Sequence, residues 1–582
     1  MNSPIASHNL INQYQRLSSY FSQRNEVLTT VDELADALCC TRRNVNLVLE
    51  KMSLQDWLVW VPSRGRGKKS RLTLLANDSN LTVQLAIQTA KQGHLEDAFG
   101  MLNSGSEKTA LFDYLKTQLG FQGHKNQTLR IPYPRTIAEL NPATVARTTE
   151  IHMIQQIMDG LVRFDGARQD ITPHLAHSWR HNQDGTQWTF FLRPGIIFHH
   201  GRPLISEDVK ATLEHLRDFV GPYQYLYRHI TQINCPTSYS VEVTLARQDH
   251  LFLHLLSNQT SVIQPHELMH QQHYYKQPIG TGAFKIGNSN DFQLESIAND
   301  QYFQERPLLD NVEILLFTDE AAALEDTSDI YFTNTSHNQH RSMQHKHKIE
   351  VGYQYLLFNV ENTNSPIQDL RIRRCIRSMV DGQAMVDELG DERASAAQRL
   401  LPEWEDDTQR LIFQVRPRMP MRLQQPLKLY TYGMHIVDAH WIQKTLASFD
   451  IEVDVQVLDY HLFADPNNWL DADLVLSGEV LDENLEMALY EWFATQRSLR
   501  HCMGHKQRNI IDEKLCTALA LPSKDLRMDA FRKMDIHLQQ ELILLPLYHH
   551  QQQMHYGDRV QGLQLNCLGW VDFKDIWFDD GR

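Results

Sequence analysis

The fold of the longer part of the chain is decided by residues 188–210, which read WTFFLRPGIIFHHGRPLISEDVK. Aromatic and apolar residues at 188–192 predict a strand. Pro194-Gly195 predicts a tight turn, and a second glycine-containing turn follows at Gly201. The segment Ser206–Asp208 has the composition of a capped helix start. A strand, two turns and a helix in this order predict one unit of a layered α/β structure.

Segments of strand and helix character continue on both sides of this stretch. Strands are predicted at residues 129–131, 312–316, 355–359, 427–430, 451–458 and 474–476, and a helix at 150–160. Such alternation is typical of α/β lobes. We predict one two-lobed domain over residues 127–582. Its second lobe spans roughly 352–530, and the chain returns to the first lobe at the end.

Further motifs lie on both sides of residues 188–210 in the chain. They are NPA at 141–143, IMDGLVRFD at 157–165, PIGTGAF at 278–284, LLFN at 356–359 and LPLY at 545–548. Together they resemble the bacterial extracellular solute-binding proteins of family 5, which include peptide- and nickel-binding members. The resemblance implies a clamshell of the type II periplasmic-binding-protein kind, which closes its two lobes on a small solute.

The first 76 residues have a different pattern. Three helices and then a hairpin are predicted, with helices at 4–24, 30–38 and 41–55 and strands at 57–61 and 72–75. Thr30 and Glu33 have the spacing of a capping box. Thr41 is in place to cap the third helix, and Cys39-Cys40 form the corner before it. This order predicts a winged helix-turn-helix over residues 1–76, followed by a helical connector over 77–126.

Charge separates this head from the rest of the chain. The whole chain has a formal charge of −15, but residues 1–75 carry +4 and the remainder carries −19. A basic head on an acidic body is expected when only the head meets a polyanion such as DNA.

The third helix and the hairpin loop contain the residues suited to that contact. Arginine and asparagine side chains read base edges in the major groove, and a flexible basic loop contacts phosphates. The candidate DNA-binding residues are Arg42, Arg43, Asn44 and Asn46 on the helix and Arg64, Arg66, Lys68, Lys69 and Arg71 on the wing. A solvated helix face and a loop without a nucleic-acid role are the alternatives.

The wing and the C-terminal end resemble a narrower family. The segments GRGKKSRLT at 65–73 and LGWVDFKDIWF at 568–578 look like those of SgrR-type transcription regulators. That family joins a winged helix to a cytoplasmic solute-binding domain, and its members are tied to sugar or sugar-phosphate stress. The resemblance implies an effector-responsive regulator. From the basic winged helix we expect double-stranded DNA as a partner, with RNA polymerase at the promoter, and a homodimer would suit a two-fold operator.

Candidate effector-binding residues lie at strand ends, where α/β crevices collect ligands. They are Tyr133, Arg135, Tyr355, Asn359 and Tyr432, for each of which ordinary packing is the alternative. Peptide-binding relatives carry an aromatic and acidic segment where residues 473–482 read DLVLSGEVLD. The aromatic residue is absent here and the acid is displaced, which argues against a peptide ligand.

Several function classes find no support in the sequence. Seven scattered cysteines without a CxxC pair favour a reducing cytoplasm over a disulfide framework. We expect no export signal, no membrane span, no cofactor and no metal site, and the histidines at 337, 340, 345 and 347 are expected in a solvated loop. No GxSxG elbow or phosphate-binding loop occurs, so an enzyme is not expected. A transport-associated solute- or oligopeptide-binding protein remains the alternative to a cytoplasmic regulator.

Overall fold

A computed structural model describes most of the chain. The described residues are 8–21, 26–55, 57–63, 69–76, 78–91, 98, 101–102, 107, 110–111, 127–133, 135–290, 293–316, 329–333, 344–390, 392–405, 423–567 and 569–579. They divide into two compact units, Met1–Lys125 and Asn126–Arg582. Each unit is described by itself.

The first unit is a winged helix. Its elements are α1 His8–Tyr20, β1 Glu26–Thr29, α2 Val31–Ala37, α3 Arg42–Ser53, β2 Leu58–Val61, β3 Ser70–Leu74 and α4 Asp78–Lys91. The strands form an antiparallel sheet in the order β1-β3-β2. Strand β1 is absent from the sequence prediction because four residues with a polar start have no readable alternation.

Local signals in the first unit explain where its helices begin. Thr30 and Glu33 form the predicted capping box, in which the Glu33 amide donates to Oγ1 of Thr30 at 3.2 Å. Cys39 adopts a left-handed φ of 48° at the corner between α2 and α3. Thr41 is the N-cap residue of α3, but its side chain makes no capping bond, contrary to the prediction.

Helix α4 belongs to the core of the first unit. Leu81 and Leu85 are buried in the same apolar cluster as Leu17, Val48 and Leu72. Nε2 of Gln15 on α1 donates to Oγ1 of Thr82 at 3.0 Å. The segment 77–126 was expected to act as a connector, whereas its first helix completes the packing of the winged helix.

The second unit starts with the first lobe. Its strands are β4 Thr128–Tyr133, β5 Val162–Asp165, β6 Asp170–Pro173, β7 Ala176–His181, β8 Gln187–Leu192, β9 Ile230–Thr237, β10 Ser240–Leu245, β11 Phe284–Asn290, β12 Gln293–Ala298 and β13 Asn311–Leu316. Its helices are α5 Thr148–Ile157, α6 Ser206–Asp218, α7 Gln224–Tyr227 and α8 Phe252–Leu256. Two four-stranded sheets result, ordered β7-β8-β10-β9 and β11-β12-β13-β4, and β5 pairs with β6.

The second lobe is built on an eight-stranded sheet. Its strands are β14 Ile330–Thr333, β15 Gln344–Ile349, β16 Gly352–Phe358, β17 Arg393–Ala396, β18 Leu427–Tyr432, β19 Val453–Leu458, β20 Leu474–Val480 and β21 Leu544–Tyr556. The main order is β14-β21-β16-β20-β18-β19, and β15 and β17 also pair with the long β21. Strand β15 includes His345 and His347, so this part of the histidine-rich stretch is a strand and not the expected loop.

Helices cover both faces of that sheet. They are α9 Leu370–Met379, α10 Gly382–Leu389, α11 Ile436–Ala447, α12 Tyr460–Phe463, α13 Leu485–Thr495, α14 Arg497–Cys502, α15 Gly504–Leu519 and α16 Lys524–Gln540. Leu356 and Phe358 of β16 face a core that contains α9 and α11. Tyr353, Tyr355 and Leu357 face the opposite way, into a core shared with α13–α16 and the first lobe. This alternation of successive side chains gives β16 one core on each side.

The last segment of the chain packs against the first lobe. Strands β22 Val560–Gln561 and β23 Trp577–Phe578 pair with each other. The Trp570 ring stacks on His152 of α5 at 5.1 Å, and burial lowers the pKa of His152 to about 4. The histidine is therefore an uncharged part of the core at neutral pH.

Two of the sequence motifs of the first lobe, IMDGLVRFD and PIGTGAF, meet at one buried carboxylate. Asp159 of the IMDGLVRFD segment accepts hydrogen bonds from Thr281 at 2.7 Å and Tyr302 at 3.3 Å, and its Oδ1 lies 2.7 Å from Nε2 of His174. Burial alone would raise the pKa of Asp159, but His174 and these hydrogen bonds hold it below its ordinary value. A Cβ atom at Gly282 would lie 2.4 Å from the Ile157 carbonyl carbon, which explains the glycine of the PIGTGAF segment. These motifs position the lobe's framework.

The opening stretch, residues 188–210, is also held by a buried carboxylate. Arg202 donates two hydrogen bonds to Asp208, at 2.6 and 3.1 Å, and Asp208 is fully buried. The backbone amide of Ile205 donates to the same carboxylate. Gly195 and Gly201 supply the left-handed turns, with φ of 84° and 91°. The predicted strand, turn and helix are confirmed as one locked unit.

Candidate functional site: nucleic-acid interface and inter-lobe cleft

One face of α3 is free to meet another molecule. Val45, Val48, Leu49 and Met52 form its buried stripe. The four predicted contact residues of α3 are all exposed, and they are Arg42, Arg43, Asn44 and Asn46. Such a helix, apolar behind and basic and amide-bearing in front, fits the major groove. Arg42 also pairs with Asp32 of α2 through two N–H groups.

The wing joins β2 and β3. Arg64, Arg66 and Lys68 lie outside the described residues. Lys69 and Arg71 are exposed at the start of β3, where Lys69 Nζ lies 3.9 Å from Glu33 and Arg71 Nε lies 3.1 Å from Glu26. Exposed ion pairs of this kind are weak and exchange readily for phosphate contacts.

Where the two lobes meet, the first lobe has an ion pair close to Tyr460 of the second lobe. Arg135 forms a two-pronged bond with Glu150 of α5, at 2.7 and 2.9 Å. The Arg135 guanidinium lies 5.0 Å from the Tyr133 ring, and the Tyr133 hydroxyl is hydrogen-bonded to Thr149. The cationic charge of Arg135 is thus largely matched by Glu150, and Tyr133 and Arg135 support each other at the edge of the lobe.

Aromatic side chains of the second lobe face this edge. Tyr432, at the end of β18, packs edge-on to Tyr460 of α12 at 5.1 Å. Tyr460 reaches the first lobe, since its hydroxyl donates to the Ala146 carbonyl at 3.2 Å and Arg147 lies 4.4 Å over its ring. Tyr432 therefore stands at the point where the two lobes meet.

The other two predicted pocket residues lie deeper. Asn359 is fully buried, and its Nδ2 donates to the Ala472 carbonyl at 2.9 Å, so it joins β16 to the segment before β20. Tyr355 is also fully buried and packs against Tyr353 and Trp492 at 5.6 and 6.3 Å. Both contribute to the wall behind the cleft and not to its open face.

Two carboxylic acids in the cleft are absent from the sequence prediction. Glu479 on β20 accepts from Nε2 of Gln496 at 2.5 Å, and Glu491 on α13 accepts from Nδ2 of Asn258 in the first lobe at 2.8 Å. Burial raises the pKa of Glu479 to about 8 and that of Glu491 to about 7. Each side chain nevertheless keeps some accessible surface, as expected of residues that line a cleft.

A sequence signal for these acids does exist. Glu479 interrupts the apolar strand LVLSGEV, and Glu491 interrupts the apolar helix LEMALYEWFAT. An acid inside an apolar element is unusual unless it is paired or functional. Their proximity to each other and to Tyr432 depends on folding and is not readable from spacing.

Family comparisons agree with this two-part organisation. Residues 9–126 match the family described as "Sugar transport-related sRNA regulator N-term". Residues 170–412 match "Bacterial extracellular solute-binding proteins, family 5 Middle". One similar protein is the HTH-type transcriptional regulator SgrR of Yersinia pseudotuberculosis serotype I (strain IP32953), which is 30% identical, with 99% of each chain covered.

The chain belongs to the SgrR family of HTH-type transcriptional regulators. It is a transcriptional regulator with an N-terminal DNA-binding winged helix and a solute-binding domain. The SgrR protein of Photorhabdus laumondii is 28% identical, and the protein YhjP of Bacillus subtilis (strain 168) is 27% identical with 96% of each chain covered.

Solved structures similar to the second unit are solute-binding proteins. A dipeptide-binding protein from Pseudoalteromonas sp. SM9913, in complex with Met-Leu, has a TM-score of 0.67 at 18% identity. NikA from Brucella suis, in complex with Fe(III)-EDTA, has a TM-score of 0.64 at 16% identity. Each similarity covers 78% of this chain and all of the other. The predicted clamshell fold of this SgrR-family member is confirmed.

Two further observations bear on the class of site. Among the described residues, no helix is both long and apolar enough to cross a membrane. Asp208, His266 and Glu267 are close enough together to share a metal ion. Arg202, however, donates to both carboxylates, at 2.6 Å to Asp208 and 2.5 Å to Glu267. The guanidinium already supplies the positive charge that a metal would bring.

Proposed function

We propose that a small solute, held in the cleft between the two lobes, controls how tightly the winged helix binds its operator in the cytoplasm. The observation that carries the proposal is the pairing of two surfaces in one chain. One is an exposed basic helix face suited to DNA, and the other is a cleft with polar groups that converge from both lobes. An effector shifts DNA affinity to the extent that it prefers one state of the protein.

We propose an uncharged sugar as the effector, in preference to a sugar phosphate. Tyr432 and Tyr460 offer aromatic faces, and Gln496, Glu479 and Glu491 offer hydrogen-bonding groups for hydroxyls. Among the described cations near these groups, Arg135 is matched by Glu150, and Arg147 and Arg497 lie near the carboxyl groups of Glu479 and Glu491. A phosphate placed beside Glu479 and Glu491 would be repelled whenever either acid ionises.

The chain acts by binding and not by catalysis in this proposal. The buried carboxyls pair with amides, Asn258 and Gln496, and not with a nucleophile. Regulation would take place at a promoter with RNA polymerase. A homodimer would allow two winged helices to read a two-fold operator.

The DNA arm is tested by selecting duplexes from a genomic library with the full chain and measuring their affinity by fluorescence anisotropy. Replacing Arg66, Lys68 and Lys69 by alanine should weaken binding and lower the steepness of its salt dependence by about 0.9 per lost phosphate contact. Arg168→Ala is the matched control, because it removes an exposed cation from the body. Unchanged affinity of the wing variant would contradict the proposal.

The effector arm is tested by thermal-shift titration of the full chain with a panel of neutral sugars and their phosphates. A neutral sugar should raise the Tm, and the shift should be lost in Glu491→Gln or in Tyr432→Leu, which removes the aromatic face. An effector at about 100 times its Kd stabilises the folded state by about 2.7 kcal/mol. A shift with sugar phosphates alone, abolished by the same variants, would overturn the uncharged-sugar assignment.

A further inference from the structure

A second cluster of buried polar groups lies away from the cleft residues described above. It forms where the first lobe, at α7 and the end of β10, meets helices α13 and α15. Its members are Tyr225, His229, Arg247, Asp249, Tyr490 and Cys516. Several of their polar atoms are buried and have no hydrogen-bond partner among the described residues. Buried polar groups are normally satisfied, so such a concentration requires an explanation.

Arg247 is the centre of the cluster. Its Nη1 donates to the Cys516 thiol at 2.6 Å, which ties the first lobe to α15. Its Nε and Nη2 are buried and unpartnered, and no carboxylate of the described residues lies within salt-bridge distance of this guanidinium. Buried N–H groups of a cation are costly to leave unpartnered, and a guanidinium fork is best matched by a planar or tetrahedral oxyanion.

Two tyrosine hydroxyls add donors beside Arg247. Tyr490 on α13 is fully buried and its hydroxyl is unpartnered, and the Tyr225 hydroxyl is unpartnered as well. Burial raises the pKa of Tyr490, and nearby Asp249 raises it further, so this hydroxyl keeps its proton. Burial raises the pKa of Tyr225 to about 12. Both groups remain donors at neutral pH.

Charges of both signs surround the two hydroxyls: Asp249 and Arg247 act on Tyr490, and Asp512, Arg228 and Arg247 act on Tyr225. Arg228, on the exposed side, lies 3.9 Å over the Tyr225 ring, and Arg500 lies 5.7 Å from the same ring. Arg500 is paired with Asp512 at 2.8 Å. Asp249 is 3.0 Å from His229 and accepts from the Leu251 amide, so its charge is partly engaged. Among the described residues, neither Arg247 nor the exposed Arg228 has an acid within salt-bridge distance, and of the two it is Arg247 that has buried, unpartnered N–H groups.

We propose that this cluster is a binding site for a small oxyanion, a phosphate or carboxylate group, held by Arg247, Tyr225 and Tyr490. The anion would bridge the first lobe and α13 and so add a contact that favours the closed arrangement of the lobes. Residue 490 precedes Glu491 on α13, and successive helical residues point about 100° apart. Helix α13 thereby presents Tyr490 to the anion site and Glu491 to the effector cleft. The site goes beyond the proposed function, since it requires a different ligand.

The test uses the full chain and inorganic phosphate at constant ionic strength, with chloride as the replaced anion. Phosphate should raise the Tm in a saturable way, and the affinity should fall at least about tenfold in Arg247→Met, which keeps the length of the side chain but removes the fork. Tyr490→Phe should reduce the phosphate response without unfolding the protein, because it removes only a hydroxyl. Acetate and sulfate, tested in parallel, distinguish a carboxylate site from a tetrahedral-anion site.

Tyr275→Phe is the matched control. Its hydroxyl is also buried and unpartnered, but it lies in the first lobe outside the cluster. This variant should respond to phosphate as the wild type does. No saturable response to any of the three anions would overturn the proposal, as would an equal response in Arg247→Met. A negative result for the proposed effector would be recognised independently, because that proposal is tested with uncharged sugars and Glu491→Gln and not with inorganic anions.

Discussion

The winged helix and the two-lobed body place their functional groups in opposite ways. The proposed contact residues of α3 are exposed, and Arg42 forms a weak surface ion pair with Asp32. Those of the body are enclosed by protein, as the raised pKa values of Glu479 and Glu491 indicate. DNA binds to the surface of a protein, whereas a small solute is bound by surrounding it with protein groups. The same residue types therefore carry different energetic costs in the two regions.

The charges of the two regions also differ in their effect on stability, because those of the winged helix are exposed and those of the body are buried. A surface cation in the winged helix is solvated in the free protein, so its substitution changes DNA binding more than stability. A buried charge in the body must be compensated within the fold. Substitutions in the two regions should consequently separate into effects on affinity and effects on stability.

The largest effect is expected from a buried ion pair of the second lobe. Arg393 donates to Asp438 at 2.6 and 3.0 Å, and the Tyr548 hydroxyl donates to the same carboxylate at 2.7 Å. Arg393→Met leaves a buried carboxylate without its cation and should lower the free energy of unfolding by about 3–5 kcal/mol. Urea unfolding measures this loss. Arg42→Ala, which breaks an exposed pair, is the control and should be nearly neutral; equal losses would break the comparison.

The sequence predicts the exposed face of α3 better than it predicts the enclosed groups of the body. Arg42, Arg43, Asn44 and Asn46 are found by periodicity, because one helix carries both the apolar stripe and the exposed face. The unit formed by residues 188–210 is likewise local, because its strand, turns and helix follow one another directly in the chain. The cleft depends on residues hundreds of positions apart, such as Asn258 and Glu491, whose meeting no spacing rule predicts.

The pocket residues predicted from strand ends illustrate this limit. Tyr432 and Arg135 do lie where the lobes meet, but Asn359 is used within the core to hold the Ala472 carbonyl. Tyr355 points into the buried face of β16 because it shares that face with Tyr353. A strand end marks the neighbourhood of a crevice, and the direction of each side chain decides whether it reaches the open face.

The next effect in size concerns DNA affinity. The double variant Arg43→Ala with Asn44→Ala removes two exposed side chains from the start of α3 and should weaken operator binding by about 30-fold or more, since each base contact contributes about 1–3 kcal/mol. The Tm should stay close to that of the wild type because neither side chain is buried. Fluorescence anisotropy and thermal unfolding on the same samples check both parts. A large loss of Tm would place these residues in the core and contradict the contrast.

A moderate effect should appear in the pH dependence of stability. A carboxyl whose folded pKa is raised favours folding below its unfolded pKa, near 4.5, and loses that contribution as the pH rises through its folded pKa. For Glu479 the window therefore runs from about pH 4.5 to about pH 8. Glu479→Gln should match the wild type at low pH and exceed it by about 1–2 kcal/mol near pH 9. If the free energy of unfolding has the same pH dependence in both proteins, ionisation of Glu479 does not destabilise the folded state and the prediction is wrong.

The smallest effect tests whether the ion pair between Asp32 and Arg42 lowers the DNA affinity of the winged helix. Asp32 on α2 holds the Arg42 guanidinium through both of its oxygens, and it places a negative charge beside a surface that meets phosphate. Asp32→Asn should strengthen DNA binding about two- to threefold, because Arg42 is released and one repulsion is removed. The gain should shrink as salt rises, since exposed charges are screened within about 10 Å at moderate ionic strength. Asp36→Asn is the matched control, an acid on the same stretch of chain with no arginine partner among the described ion pairs. If both variants gain equally, the pairing with Arg42 has no special role and only the net charge of the head matters. If Asp32→Asn weakens binding instead, the ion pair positions Arg42 for the groove, and even this exposed surface depends on preorganisation as the buried cleft does.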